Sequence, residues 1–458
     1  MMGRSNGDQD RLFYDVHLDD LVPADHLVRG IDAVLDLSWL HGELAAFYSH
    51  TGRPSIDPDL MVRMLIVGYV FAIRSERQLC SEVQVNLAYR WFCGLGLEDR
   101  VPDHSAFSRV RHERFREADV LRRVFGSVVG SCISEGLVGG KSLSVDASFI
   151  KADVDQIKRL PGDQPIDWPE REDVSRAVTE YLDALDRELP EVGKGGRRAK
   201  PPRAISLTDP QATWATKRQK MRPVFVYDAN YLIDNKLGII VGAEGTRANR
   251  IEENRVCVSM VERVIQRFDL KPKRLAADTA YGSGKTLKAL MDCGIDPHVP
   301  VWDKSKRKDG TFSRADFTYD PERDLYICPA NKTLKTTGNV HSDDTLRYRA
   351  RTRDCRACPL KMRCCPNTAQ RKVPRDINED ARDYVRALAK TKAFRKMRDE
   401  RKKVEMAFAH MKRIFKLDRL RLRGLSGARD EVLLTATAQN LRKLARYVTR
   451  PPPIPRTA

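Results

Sequence analysis

Apolar positions in this chain recur with two periods, and the change of period divides it. Up to about residue 135 the spacing is helical. Leu60, Met64, Leu65 and Val67 form the apolar side of a helix that Asp57 caps and Pro58 opens. Asp25 or a neighbour caps an earlier helix reaching about Leu37, and Ser75 caps one reaching about Phe92. A further helix starts at Asp103 or Ser105 and carries Arg109, Arg111, Arg114 and Arg116. From Lys141 the period drops to two. Leu143, Val145, Ala147 and Phe149 share one strand face, while Ser144, Asp146 and Ser148 share the other. Residues 161–205 interrupt this pattern with a charged, solvent-facing helix over 170–189 and the basic linker G-K-G-G-R-R-A-K-P-P-R, which has nothing to form a core. Whether that linker touches phosphates or stays disordered is left open by its residues.

Strands resume at 224–233 and 237–243, joined by a D-N turn. A helix over 251–268 lines up Val256, Met260, Val264 and Phe268. Then follow a strand containing Asp278, a helix over 284–293 and a strand over 295–301. Near the end, R-K-K-V-E-M-A-F-A-H-M-K (401–412) wound as a helix stacks Val404, Phe408, Met411 and Phe415 in one stripe. Arg401, Glu405 and Lys412 run along the edge of that stripe. Such a set by itself is more often a surface ion-pair group. Two strand-borne aspartates upstream change the weighing, since three acids from two strands and one helix can form a single metal pocket. G-L-S-G (424–427) ends this helix and begins another, packed through Leu433, Leu434, Ala438, Leu441 and Leu444.

Asp146, Asp278 and Glu405, the last within R-x3-E-x6-K, resemble the acidic triad of DDE transposases of bacterial insertion sequences. The resemblance extends to D-H-L-V-R (25–29), G-R-P-S-I-D-P (52–58), P-D-H-S-A-F-S-R (102–109), T-D-P (208–210) and A-D-T-A-Y-G-S (277–283). The chain departs from that family at Arg398, where the signature usually has a tyrosine. The resemblance implies an α/β, RNase H-like catalytic core, with the acids holding two Mg2+ (or Mn2+) ions, Asp146 bridging them. It implies cleavage at element ends by water and joining of the freed 3′ hydroxyl to target DNA. Its partners would be double-stranded DNA, as terminal inverted repeats and target, and a second copy of the chain. Arg401 and Lys412 are then candidates for phosphate contacts. A nuclease without strand transfer, or a nucleic-acid-binding protein that does no chemistry, remains the alternative reading of the residues.

The domain order expected is a helical DNA-binding region over 1–135, a first catalytic part over 141–310, a cysteine-rich insertion over 311–370, C-terminal catalytic helices over 371–447 and a proline-rich tail over 448–458. Helix, turn and basic helix in the first region suit a helix-turn-helix, and equally a plain helical packing domain with arginines outside. The family resemblance, which implies a DNA-binding N-terminal domain, favours the first reading, and the charge suits a polyanion partner. Lys+Arg 82 against Asp+Glu 63 gives +19, and residues 391–423 hold 13 Lys/Arg against 4 Asp/Glu around Glu405. G-S-G-K-T (282–286) mimics a phosphate loop, but Thr279 stands where its first glycine is required.

No apolar stretch is long enough to span a bilayer and no leader pattern opens the chain, so the expected setting is the reducing cytoplasm, on the nucleoid. Ten cysteines there are thiols or ligands. Cys355-x2-Cys358-x5-Cys364, with Cys328 upstream, can hold a structural Zn2+ through four thiolates, or the thiols are simply buried.

Overall fold

The computed structural model describes residues 15, 17–48, 55–188, 201–216, 221–303 and 309–449. The 448–458 tail, apart from its first two residues, and most of the basic linker lie outside the described residues. After short helical turns, including Leu27–Asp32, come α1 (Pro58–Val70), α2 (Glu76–Val85), α3 (Leu87–Phe92), α4 (His104–His112) and α5 (Val120–Ser134). Then follow β1 (Ser142–Lys151), α6 (Arg176–Glu188), β2 (Thr213–Ala215), β3 (Val224–Asp234), β4 (Ile240–Arg247), α7 (Arg250–Phe268), β5 (Arg274–Ala276), α8 (Gly284–Asp292) and β6 (Asp296–His298). Five short strands succeed them: β7 (Thr318–Asp320), β8 (Leu325–Ile327), β9 (Thr333–Lys335), β10 (Thr345–Arg349) and β11 (Lys372–Asp376). The chain closes with α9 (Glu379–Leu388), α10 (Lys392–Glu400), α11 (Lys402–Arg413) and α12 (Gly424–Val448). No described helix is long and apolar enough to cross a membrane.

Side-chain caps mark several helix starts. Asp57 Oδ1 accepts from the Asp59 amide at 2.8 Å and Asp103 Oδ1 from the Ser105 amide at 2.8 Å, as their positions before helices predict. The single helix expected from Ser75 to Phe92 is two. Asn86 is extended, and its Oδ1 accepts from the Ala88 and Tyr89 amides at 3.0 and 3.1 Å, so a second N-cap interrupts the apolar period. The helix expected to reach Leu37 ends at Asp32, and His26, the neighbour of Asp25, is its cap.

The chain forms two compact units, each gathered from separate stretches of sequence. The first comprises residues 1–139, 147–249 and 405–458. The N-terminal helices therefore do not stand apart but share a unit with β3, β4 and α12. Antiparallel β4 pairs with β3 from Tyr227↔Arg247 to Ile233↔Ile240, β2 pairs with the start of β3, and β1 lies beside β3. α12 is buried along most of its length and packs on β4, α5 and α1. Asn440 binds both backbone groups of Ile240, accepting from its amide at 3.0 Å and donating to its carbonyl at 2.7 Å. At Gly245 a Cβ would meet the Ala428 backbone at 2.9 Å, so glycine permits this close approach of strand and helix. α6, expected to face solvent, buries Ala177 and Val178 and packs on α12.

The second unit comprises residues 140–146 and 250–404. The first half of β1 runs parallel to β5, and β5 parallel to β6. α7 buries Cys257, Met260, Val261 and Val264. Residues 318–376 build a five-stranded antiparallel sheet in the order β11-β10-β9-β8-β7, over a core containing Tyr326, Leu334, Tyr348 and Val373.

Candidate active site

Two of the three expected acids meet in the second unit, and strand register is the cause. The last paired positions of β1 and β5 are Ser144↔Ala276. Asp146 and Asp278 each lie two residues further along neighbouring parallel strands, so both carboxylates emerge at the same end of that pair. The sequence pattern puts Asp278 within the strand, but the strand ends at Ala276 and Asp278 lies just past it. It caps the 3-10 turn Thr279–Tyr281, accepting from the Ala280 amide at 2.7 Å. Both aspartates are half-buried. Asp146 Oδ2 accepts from Arg401 Nη1 at 3.2 Å. Glu400, one residue earlier, turns instead to the start of β1, where its Oε2 accepts from Ser142 Oγ at 3.1 Å.

A further acid belongs to this group, and the sequence reading misses it. Glu253 stands in the first turn of α7, which packs on the 3-10 turn after Asp278. Burial raises the pKa of its carboxyl, and the charges of Asp278 and Asp146 raise it further, while the Tyr281 hydroxyl and Arg250 act the other way. The Tyr281 side chain is fully buried. Its hydroxyl is turned towards Glu253 without reaching normal hydrogen-bond geometry, and among the described residues it finds no other partner. A sequence signal does exist: Glu253 heads the line Glu253, Cys257, Met260, Val264, the inward stripe of α7.

In the first unit, Glu405 is exposed near the start of α11. The apolar stripe expected around it is buried at Val404, Phe408, Met411 and Phe415. Phe408 stacks on Tyr231, with centroids 4.8 Å apart and rings 10° from parallel. Lys412 is committed to β1, donating from Nζ to Ser148 Oγ at 2.7 Å and to the Phe149 carbonyl at 2.8 Å. Of the four arginines following Asp103, three have internal partners. Arg111 is buried against Glu76 at 2.6 Å, Arg114 donates to Ser55 Oγ at 2.6 Å and covers the Tyr48 ring, and Arg116 pairs with Asp430 at 2.7 Å. These contacts correct the picture of an outward basic face: apolar neighbours turn the helix so that Arg111 points inward. Arg109 is exposed.

The cysteines converge. Cys328, Cys355, Cys358 and Cys364, together with Cys365, line one cavity of about 20 Å³ beside the antiparallel sheet. Cys328 Sγ accepts from the Lys332 amide at 3.3 Å. Burial pushes the Cys364 thiol up to about 12, with Cys365 adding to it, and burial likewise raises Cys355. Among the described residues, no three His, Cys, Asp or Glu side chains are gathered closely enough to hold a metal ion as they stand, either here or at the aspartates. The donor types nevertheless fit: hard carboxylates at one place suit Mg2+, and soft thiols at the other suit Zn2+.

Two family models match the chain: a Transposase domain (DUF772) over residues 16–113 and a Transposase DDE domain over residues 327–445. The second spans Glu405 and the five cysteines, and stops short of Asp146 and Asp278. No curated protein matches. Among solved structures, a cryo-EM structure of the piggyBac transposase synaptic complex with hairpin DNA is similar at 10% identity and a TM-score of 0.30, covering 94% of this chain and 82% of that one. A likeness at that level carries no structural argument.

Proposed function

We propose that this chain, a DDE-type DNA transposase by the two domains it carries, cuts DNA at the ends of its element and joins the 3′ hydroxyl to target DNA on an RNase H-like core. Asp146, Asp278 and Glu405 are the acids of the reaction. The observation that carries this reading is the shared register of β1 and β5, from which Asp146 and Asp278 leave at one end. Bound Mg2+ or Mn2+ would supply Lewis-acid stabilisation of the attacking and leaving oxygens. The residues of the chain prepare for that. Asp146 and Asp278 offer hard oxygen ligands from rigid backbone, one in a strand and one at a capped turn. Arg401 orients the Asp146 carboxylate through its ion pair. Lys412 fixes the second half of β1 rather than reaching for phosphate.

DNA contacts belong to side chains left exposed, such as Arg109, and to the basic 391–423 stretch. Joining two ends together calls for two copies of the chain on the DNA. The cysteine cluster is read as a structural Zn2+ site in which Cys365 is a ligand candidate beside Cys328, Cys355, Cys358 and Cys364.

Supercoiled-plasmid cleavage and strand joining test the assignment. Asp146→Asn, Asp278→Asn and Glu405→Gln each remove one charged oxygen ligand at nearly constant shape. Each is expected to abolish cleavage in Mg2+ while leaving affinity for end DNA, measured without metal at fixed salt, near the parent value. Glu400→Gln keeps an acceptor for Ser142 and is expected to cost little. A dead Glu400→Gln beside an active Glu405→Gln would overturn the assignment of the third acid.

A further inference from the structure

The first turn of α7 holds two glutamates, Glu252 and Glu253. A carboxylate at a helix N-terminus is favoured by the helix dipole, which explains why acids occur here. It does not explain why one of them turns inward. An outward Glu253 would gain the same dipole interaction in water. Instead its carboxylate lies half-buried within electrostatic range of Asp278 and Asp146, where like charges oppose its ionisation. Arg250, whose guanidinium stacks 3.6 Å over the Trp302 ring, acts the other way on Glu253, and Arg401 pairs with Asp146.

The second observation is Tyr281. Its side chain is fully buried, its hydroxyl lacks a hydrogen-bond partner of normal geometry among the described residues, and that hydroxyl is turned to Glu253. A buried unsatisfied donor is costly, so such a group marks a site completed by something else. Tyr281 sits three residues after Asp278 on the turn that Asp278 itself caps, so one short turn carries both an acid and a donor aimed at the next acid.

We propose that Glu253 is a further acidic group of the divalent-metal site, a carboxylate beside Asp146 and Asp278 that Tyr281 orients. This rests on the reading of those aspartates as metal ligands. A divalent cation held among the carboxylates would relieve their repulsion, and Tyr281 would hold the Glu253 carboxylate in place beside it. Glu253 then acts either directly on the ion or through a water, and Tyr281 is a positioning residue.

The test uses the full-length protein and Mn2+ alone, with binding read by calorimetry and by loss of the free-ion EPR signal, so that no activity is needed. Glu253→Gln is expected to weaken Mn2+ about tenfold, the lower end of what removing a supporting group costs a metal site. Glu253→Asp should restore part of that loss, because charge rather than shape is at stake. Tyr281→Phe, which keeps every carboxylate, should shift affinity in the same direction by a smaller factor, and it decides the matter if Glu253→Gln does not fold. Asp278→Asn is the reference. If Asp278→Asn loses Mn2+ while folded Glu253→Gln, or Tyr281→Phe in its place, binds like the parent, the inference is overturned and the metal-site reading stands. Should Asp146→Asn and Asp278→Asn also bind like the parent, the underlying reading fails and Glu253 falls with it.

Discussion

Asp209, the acid of T-D-P, is fully buried; its Oδ1 accepts the Tyr227 hydroxyl at 2.6 Å and its Oδ2 the Gly424 amide at 3.0 Å. The motif looks like site chemistry in the sequence, and its acid instead ties the start of α12 to the strands of the first unit. Burial raises the carboxyl from its ordinary value to about 6, more than those two hydrogen bonds lower it. The native state therefore keeps a proton that the unfolded chain has lost between about pH 4 and 6. Stability contributed here falls as pH rises through that window and is flat above it. Asp209→Asn can give its oxygen to Gly424 and its amide to the Tyr227 oxygen. A tenfold change in a carboxyl's proton affinity is worth about 1.4 kcal/mol. We therefore expect this variant to lose the pH 4–6 slope and to gain on the order of 2–3 kcal/mol over the parent at pH 7. Urea unfolding of both proteins across pH 4–7 measures it, and parallel curves would refute it. Glu253 shows the opposite limit of sequence reading. Its helical line is visible, but an acid at the head of an apolar stripe looks the same whether it bends to solvent or to a neighbouring turn.

At the scale of elements, alternation and caps carry most of the fold. β3 and β4 pair as a hairpin where alternating runs flank D-N, and α1 begins at its Asp57-Pro58 signal. Asp278 reads as a strand residue because R-L-A-A-D is a continuous apolar approach, and only the capping of the Ala280 amide shows where the strand stops. The end of α11 at Arg413 is hidden too. Residues 414–423 keep helical composition, yet the chain turns here, with Lys416 at φ +57°, and Arg419 forms a parallel bridge with Lys151 at the end of β1. The cysteine-rich sheet is legible only as spacing. Its strands are three to five residues long, too short for a periodic signal, and the cysteines meet because β8 and the two helical turns after β10 are folded together. If zinc stabilises this sheet, Cys358→Ser should lower bound zinc in protein purified under reducing conditions and make residues 312–376 the first to be cut in limited proteolysis. Elemental analysis showing no zinc in the parent, with unchanged proteolysis in the variant, would remove zinc from the account.

For the molecule as a whole, the sequence predicts a separable N-terminal domain, and charge pairing within the first unit argues otherwise. Arg74 is almost fully buried after α1, and its guanidinium meets Glu431 of α12 at 2.7 Å. It also donates to the carbonyls of Lys416 and Arg419, while Glu431 Oε1 accepts the amides of Arg421 and Leu422 at 2.5 and 2.8 Å. Arg116 with Asp430 and Arg122 with Glu244 add two more links of the same kind. Each joins the first 139 residues to chain far away in sequence, which no local pattern could reveal. Burial pushes the Glu431 pKa up, and Arg74 is the cation that opposes this change. Removing one partner of a buried pair leaves the other charge without compensation, at a cost of roughly 3–5 kcal/mol. We therefore expect Arg74→Ala to destabilise the protein by about that much. The double variant Arg74→Met, Glu431→Gln should lose much less, because it strands no charge. Residues 1–135 expressed alone should lack a cooperative unfolding transition, since Arg74 and Arg116 would then lose their acids. Denaturant unfolding of the three proteins decides. An Arg74→Ala midpoint equal to the parent's, or a fragment that unfolds cooperatively, would restore the N-terminal helices as an independent domain.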